Sequence, residues 1–277
     1  MSNYYALVAG LPDLSLDIAK VPLSMEALKE KLQETVTRND MKLIRLFFLK
    51  YDNQNLLAYL KDPEASLHPL GTFTADDLGN IIHQDKAYLT GLDVPPYFDA
   101  FVEAYQGNSE MDGVTAEDLL TSLYYDYAIQ NTNSFVRDFF EFTLNVKNIL
   151  IGYQCRKFNF DAEKAIVGNN FVAEAVKSSK AKDFGLTGDV DNLETILLIA
   201  EEQNILVREQ KLDALLWNYL DEHTVFEYFS LEKVFAYLIR VDILERWESM
   251  RKQNGNEIFL QTVNQLKNNY EFNENFN

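Results

Sequence analysis

Several residue types on which stapled scaffolds and membrane proteins depend are scarce in this chain of 277 residues. Its single cysteine, Cys155, excludes an intramolecular disulfide and a thiolate metal cluster, and it is expected as a small buried side chain in a reducing cytoplasm. No apolar run reaches the roughly 18 to 20 residues of a membrane span. The N-terminus shows no basic stretch followed by an apolar run, so no leader is expected.

Glycine and proline are also few, at 11 and 6 residues, while 47% of the chain is hydrophobic and 19 residues are Phe and 15 Tyr. This composition excludes a disordered or fibrous repeat protein, because such chains are rich in polar residues, Gly or Pro. At this length a chain can bury a sizeable core. The composition predicts a packed, aromatic-rich globular protein.

Basic residues are too few to balance the acidic ones. The 25 Lys and Arg face 43 Asp and Glu, which leaves a net charge of −18. Nucleic acid and bare anionic lipid are poor partners for such a field. Two interpretations stay open: the excess acid keeps a helical surface soluble, or one acidic face meets a basic partner.

The motifs of common catalytic and cofactor sites are missing. The sequence has neither a Gly-x4-Gly-Lys-Ser/Thr loop nor a Gly-x-Gly-x-x-Gly turn, so nucleotide binding is not expected. Its three histidines, His68, His83 and His223, lack His or carboxylate partners at the spacing that places two ligands on one helix face. We therefore predict no cofactor, no metal site and no small-molecule substrate.

Helical periodicity dominates the chain and predicts an all-α fold. Apolar residues recur at steps of three and four over 39–61, 134–157 and 231–252, which predicts three long amphipathic helices. Helix starts are predicted at Ser24 and at the capping-box pairs Thr74 with Asp77 and Thr115 with Asp118. Residues 1–23 stay unassigned, although their aromatic and branched residues suit a short extended segment.

The long helical segments resemble one another. Asn55 and Asn148, 93 residues apart, each interrupt an apolar stripe downstream of a Phe pair. When the ends of the second and third long helices are aligned, Arg156 matches Arg251. A unit of roughly 95 residues, repeated over 1–93, 94–188 and 189–277, would use the whole chain. A buried amide needs hydrogen-bond partners, so we expect each Asn to tie its helix to a neighbouring backbone.

The segments FFLKYDNQNLLAYL, FFEFTLNVKNILIGYQCRKFNFDAEKAI and SLEKVFAYLIRVDILERWESMRKQNGNEIFLQTVNQL resemble the recurring signature of the C (or d) subunit family of V/A-type ATPases, in its shorter bacterial branch. In that family each unit has a long helix with an acidic or Asp-x-x-Asn-Leu centre, a basic residue after it and a short capped helix. The matching positions are Asp52, Asn55, Asn148, Arg156, Asp242, Glu245 and Arg251.

The resemblance implies three similar helical bundles in a tapered, V-shaped or funnel-like body. It implies a non-catalytic subunit that seats the central shaft (D- and F-type subunits) on the membrane proteolipid rotor ring, on the cytoplasmic side of the inner membrane. Residues in contact with these partners are not implied.

A different class of function stays open beside the adaptor. Tyr124, Tyr125, Asp126 and Tyr127 bring aromatic hydroxyls and a carboxylate together on one predicted helix. Such residues could line an acidic cavity of a helical enzyme or ligand-binding protein. An acidic helical scaffold unrelated to any ATPase is a third interpretation.

Overall fold

The computed structural model describes residues 4–18, 20–108, 113–130 and 133–254. All regular structure in these residues is α-helix, so the predicted all-α fold is confirmed. The helices are α1 (Tyr5–Ala9), α2 (Met25–Thr35), α3 (Arg38–Lys61), α4 (Ala75–Ile82), α5 (Lys86–Leu89), α6 (Pro96–Gly107), α7 (Gly113–Ile129), α8 (Ser134–Phe158), α9 (Ala162–Ala165), α10 (Phe171–Ser178), α11 (Leu193–Glu201), α12 (Ile205–Thr224) and α13 (Leu231–Asn254).

The chain divides into two compact units. Unit 2 is the continuous stretch Lys42–Leu197, whereas unit 1 combines the N-terminal segment up to Met41 with the C-terminal part from Leu198. Within unit 1, α2 packs against α13, and α12 also packs against α13. The predicted repeats of 1–93, 94–188 and 189–277 have other boundaries and stay a prediction, as does their tapered arrangement.

The three long helices form as their apolar periodicity predicts. The observed helices α3, α8 and α13 begin and end within one or two residues of the predicted segments, and no Gly or Pro stops the periodic stretch of α3. The tail after Lys267 lies outside the described residues.

Two of the three predicted helix starts are confirmed. Ser24 caps α2, with its Oγ accepting a hydrogen bond from the Ala27 amide at 3.2 Å, and Thr74 with Asp77 forms a reciprocal capping box at the start of α4. The third prediction is wrong, because α7 already begins at Gly113 and Thr115 lies inside its first turn.

The N-terminal segment is helical rather than extended at its start. Residues Tyr5–Ala9 form α1, and the Tyr4 amide donates a hydrogen bond to the Phe229 carbonyl oxygen at 2.8 Å. This bond attaches the N-terminus to the connection between α12 and α13. The helix ends at Gly10, and no helix forms again among the described residues before Met25.

Each unit has an apolar core of its own. Fully burying one large apolar side chain contributes about 1.5–3 kcal/mol, so these clusters account for much of the stability of each unit. The largest side chains with less than 2% exposure include Phe48, Phe98, Phe101 and Phe184 in unit 2 and Met25, Leu28, Leu32, Phe235 and Trp247 in unit 1.

Candidate functional site

The predicted signature residue Asn55 ties α3 to the segment that follows it. Its side-chain Nδ2 donates to the His68 carbonyl oxygen at 3.1 Å, and its Oδ1 accepts from the His68 amide at 2.6 Å. The amide therefore satisfies both backbone groups of one residue, as a neighbouring strand would. Asn55 is 2% exposed, so an apolar side chain here would leave these groups without their partner.

Asn148 on α8 makes the same pair of bonds. Its Nδ2 donates to the Val167 carbonyl oxygen at 2.7 Å, and its Oδ1 accepts from the Val167 amide at 3.1 Å. Asn148 is fully buried. The expectation that each Asn ties its helix to a neighbouring backbone is thus confirmed at both positions.

The residue one turn earlier on each long helix also accepts hydrogen bonds from the segment that follows. Asp52 Oδ1 accepts from the amides of Thr72 and Phe73, just before α4, while Asn145 accepts from the side chain of Asn170, the residue that caps α10. Burial raises the pKa of Asp52, although both amide bonds and Arg45 oppose the shift. Both long helices thus hold a returning segment at two successive turns.

A short helix of eight residues follows each returning segment: α10 packs against α8, whereas α4 packs against α5 and α6 and meets α3 through the Tyr59 side chain. The two helices of each pair meet at a glycine. In one pair Gly79 on α4 lies under Tyr59 on α3, where an added Cβ would come within 2.8 Å of the Tyr hydroxyl. In the other pair Gly152 on α8 lies under Val176 on α10, where an added Cβ would lie 2.2 Å from Val176 Cγ1. The glycine lies on the short helix in the first pair and on the long helix in the second, so the two contacts are not equivalent.

Arg156, near the end of α8, holds the segment after α10. Its guanidinium donates to the carbonyl oxygens of Ser179, at 2.7 Å, and Ala181, and lies 3.6 Å from the centre of the Phe184 ring. Burial lowers the pKa of Arg156, which nevertheless stays charged because arginine titrates far above neutral pH. This predicted signature residue is therefore a structural clamp at the end of the module.

In unit 1 the corresponding residues of α13 hold a segment from the opposite end of the chain. The Glu245 carboxylate accepts from the amide of Met25, the first residue of α2, at 2.8 Å, and Glu248 accepts from the Val21 amide at 3.1 Å. Arg251 donates to the Ile18 carbonyl oxygen at 2.8 Å. The short capped helix beside α13 is thus α2, which precedes it in sequence.

Burial raises the pKa of Glu245, while the bond from the Met25 amide acts against this shift. Asp242, the remaining signature residue, is half-buried on the same helix and is one of the negative charges that raise the pKa of Asp213.

Sequence reasoning missed Asp213, the most perturbed carboxylate of unit 1. It lies on α12, is 2% exposed, and accepts a hydrogen bond from the Trp247 indole at 2.7 Å as well as an ion pair from Arg246. Burial raises its pKa to about 6, although Arg246 and Trp247 favour the charged form. Nothing in the spacing of the sequence marks this aspartate among so many others.

A cavity of about 390 Å³ lies in unit 2 and includes part of the predicted tyrosine cluster. Tyr124 and Tyr125 line it together with Lys50 and Lys147, so the cavity is not purely acidic. Burial lowers the pKa of Lys147, against the attraction of Asp118 and Glu117. Of the other predicted members, Tyr127 lines a separate cleft of about 110 Å³, and burial raises the pKa of Asp126.

An aromatic cluster that sequence reasoning also missed is displayed on unit 1. The connection between α12 and α13 exposes Val225 by 57%, Phe226 by 84% and Tyr228 by 67%. Beside it Tyr5, 61% exposed, packs on Phe229 with 4.6 Å between ring centroids. We call Tyr5, Val225, Phe226, Tyr228 and Phe229 the aromatic patch.

Two other kinds of site are absent from the described residues. They contain no group of three or more His, Cys, Asp or Glu side chains placed to hold a metal ion. None of the helices in the described ranges combines the length and apolar character that crossing a bilayer requires.

No curated protein and no solved structure matches the chain. A family model described as "Protein of unknown function (DUF2764)" matches residues 1–270, and the chain therefore belongs to this family.

Proposed function

We propose that this protein is a non-catalytic central-stalk subunit of a rotary V/A-type ATPase. In this role it would couple the central shaft to the membrane proteolipid rotor ring during ATP-driven or ATP-producing ion transport. It would act on the cytoplasmic side of the membrane, peripheral to the bilayer, and would transmit torque without chemistry of its own.

The proposal rests on the hydrogen bonds that the signature residues make. Asn55 and Asn148, on which the resemblance to the C subunit family depends, each bond to the backbone amide and carbonyl of one residue in the segment after their long helix. Glu245 holds the start of a third short helix, α2. A repeated module built on these positions is what a member of that family is expected to have.

The close packing of the modules suits a mechanical role. Torque transmission requires a body that does not shear, and well-packed interiors have low compressibility. The amide ties fix each returning segment to its long helix, and Gly152 lets α8 and α10 approach closely. Features of this kind support a rigid adaptor better than a protein that opens around a substrate.

The proposal is tested by binding of the purified chain to its presumed neighbours. The shaft subunits and the detergent-solubilised proteolipid ring from the same organism are immobilised separately, and binding is measured from low to moderate salt. An unrelated acidic helical protein of similar net charge is the control. We expect retention at micromolar concentration by at least one of the two, and no retention of the control.

Salt dependence adds a second criterion. Screening acts over about 8 Å at physiological ionic strength, so long-range attraction is modest while apolar contacts persist. Added salt should therefore slow association and weaken binding only in part. Absence of binding to shaft and ring at low salt contradicts the proposal, and a loss of several orders of magnitude in affinity with salt contradicts its mechanical interpretation.

The cavity of unit 2 favours one other function, the binding of a small anionic ligand. Lys50 and Lys147 would pair with a carboxylate or phosphate, and Tyr124 and Tyr125 would cover its apolar part. A thermal-shift series with inorganic phosphate and dicarboxylates tests this function. Stabilisation that Lys147→Ala abolishes would support it over the adaptor, and no shift at millimolar concentration would exclude these ligands.

A further inference from the structure

We propose that the aromatic patch is the surface through which the chain docks on a protein partner with an apolar face bordered by Lys and Arg, namely the shaft rather than the ring. The inference rests on the proposed function and specifies the contact surface that the resemblance leaves open.

The first argument is the degree of exposure. Phe226 is 84% exposed and Tyr228 67%, next to Val225 at 57%. Scattered single apolar residues are normal on protein surfaces, but contiguous large ones mark interaction sites. Aromatic side chains also dominate the binding energy of known interfaces. The patch thus combines the residue types and the clustering expected of an interface centre.

The second argument is that the patch is held in place rather than loose. Thr224 is fully buried and its Oγ1 donates to the Leu220 carbonyl oxygen at 2.6 Å, which fixes the end of α12. At the other end, the Ser230 Oγ accepts from the Lys233 amide at 3.3 Å. Between these two ends, the hydrogen bond from the Tyr4 amide to the Phe229 carbonyl oxygen holds the connection. A fixed surface loses less conformational entropy on binding than a mobile one.

The third argument is charge, which selects the partner. Residues 221–232 contain four carboxylates, and the positive charges of Lys233 and Arg240 lie near one of them, Asp221. Asp221 pairs with Arg240, while Glu222 is exposed and Glu227 half-exposed beside Phe226. These acidic side chains favour a partner whose apolar surface is bordered by basic residues. They also repel an anionic membrane surface, which disfavours docking on the ring at the bilayer and leaves the shaft.

The experiment compares two double variants of the full-length chain. Phe226→Ser with Tyr228→Ser alters the patch, and Phe160→Ser with Phe171→Ser removes two aromatic side chains of similar exposure, 67% and 64%, from unit 2. All four side chains are exposed, so both variants should keep the circular dichroism spectrum of the wild type. Binding to immobilised shaft subunits, to the solubilised ring and to anionic vesicles is measured for each protein.

We expect the patch variant to bind the shaft at least about tenfold more weakly, and the unit 2 variant to stay within about threefold of the wild type. Glu222→Lys with Glu227→Lys should slow association with the shaft by about tenfold at low salt. Equal binding by the patch variant and the wild type overturns the inference but leaves the proposed function standing.

The other outcomes are equally decisive. Binding of the wild type to the ring but not the shaft overturns the inference alone, whereas binding to neither also removes the proposed function. Loss of vesicle binding or of self-association in the patch variant, with shaft binding unchanged, would identify a lipid surface or a second copy as the occupant and overturn the inference.

Discussion

Replacement of Asn148 by Leu tests whether the amide ties stabilise the modules. Leu is similar in size to Asn but offers neither a donor nor an acceptor, so the amide and carbonyl of Val167 lose their partner together. Both residues are buried, at 0% and 4% exposure, which leaves water little access to the freed groups. The substitution should therefore destabilise unit 2.

The magnitude follows from two opposing effects. Each buried backbone group without a partner costs about 1–3 kcal/mol. Burying the larger apolar surface of Leu returns about 1–2 kcal/mol. Two such groups cost about 4 kcal/mol at the middle of that range, so the net loss in the free energy of unfolding is about 2.5 kcal/mol. This corresponds to a fall of roughly 5–10 °C in Tm for a domain of this size.

Far-UV circular dichroism during thermal and urea unfolding is the suitable assay, because both tryptophans, Trp217 and Trp247, lie in unit 1 and do not report on unit 2 directly. Asn145→Leu is the matched control. It lies one turn away on α8, is half-exposed and bonds only to a side chain, so it should cost less than about 1 kcal/mol. Unchanged or raised stability of Asn148→Leu would show that the Asn148 amide does not stabilise unit 2.

Three further substitutions should each change stability in a definite direction. Replacing a helical glycine by alanine normally stabilises the helix, but in Gly152→Ala the added Cβ would lie 2.2 Å from Val176 Cγ1, so the Tm followed by circular dichroism should fall. Gly107→Ala is the control, because the space around Gly107 is open and its Tm should not fall. A higher Tm for Gly152→Ala would contradict the close packing of Gly152 on Val176. Gln210→Met should raise the free energy of unfolding by about 1–2 kcal/mol, because both polar atoms of the buried Gln210 amide lack hydrogen-bond partners. Urea unfolding followed by tryptophan fluorescence should show a higher midpoint, and a lowered midpoint would indicate a hidden partner. Asp213 has a folded-state pKa of about 6 against an ordinary value of 3.8, so the folded chain holds the proton more tightly than the unfolded chain. The free energy of unfolding therefore falls as pH rises between these two values. At about 1.4 kcal/mol for each pH unit, the fall is about 3 kcal/mol. Asp213→Asn should flatten that slope in urea titrations at successive pH values, and an unchanged slope would assign it to other groups.

The helices were the predictable part of this structure, because helix formation is governed by neighbours in sequence. The uninterrupted apolar period of α3 and the capping box of Thr74 with Asp77 are local patterns, and both formed as predicted. The amide role of Asn55 was also predictable, since a buried amide must bond. Its partner, His68, was not, because the intervening segment carries no periodic pattern.

Contacts between distant parts of the chain escaped prediction for a physical reason. The bond from Met25 to Glu245 spans 220 residues, and one sequence gives no sign that α2 packs beside α13. The aromatic patch was missed in a different way. An apolar run such as Val225-Phe226 is typical of a core, and only the fold shows that these side chains stay exposed on a connection between two helices.

The adaptor assignment is tested most directly by affinity purification of the tagged chain, expressed at its natural level, from gently solubilised membranes of its own organism. Quantitative mass spectrometry then gives the stoichiometry of each co-purified protein. We expect one copy of the chain for each set of shaft subunits, together with the catalytic subunits and the proteolipid of a V/A-type ATPase. Recovery of the intact ATPase from the same membranes without this chain would contradict the proposed function.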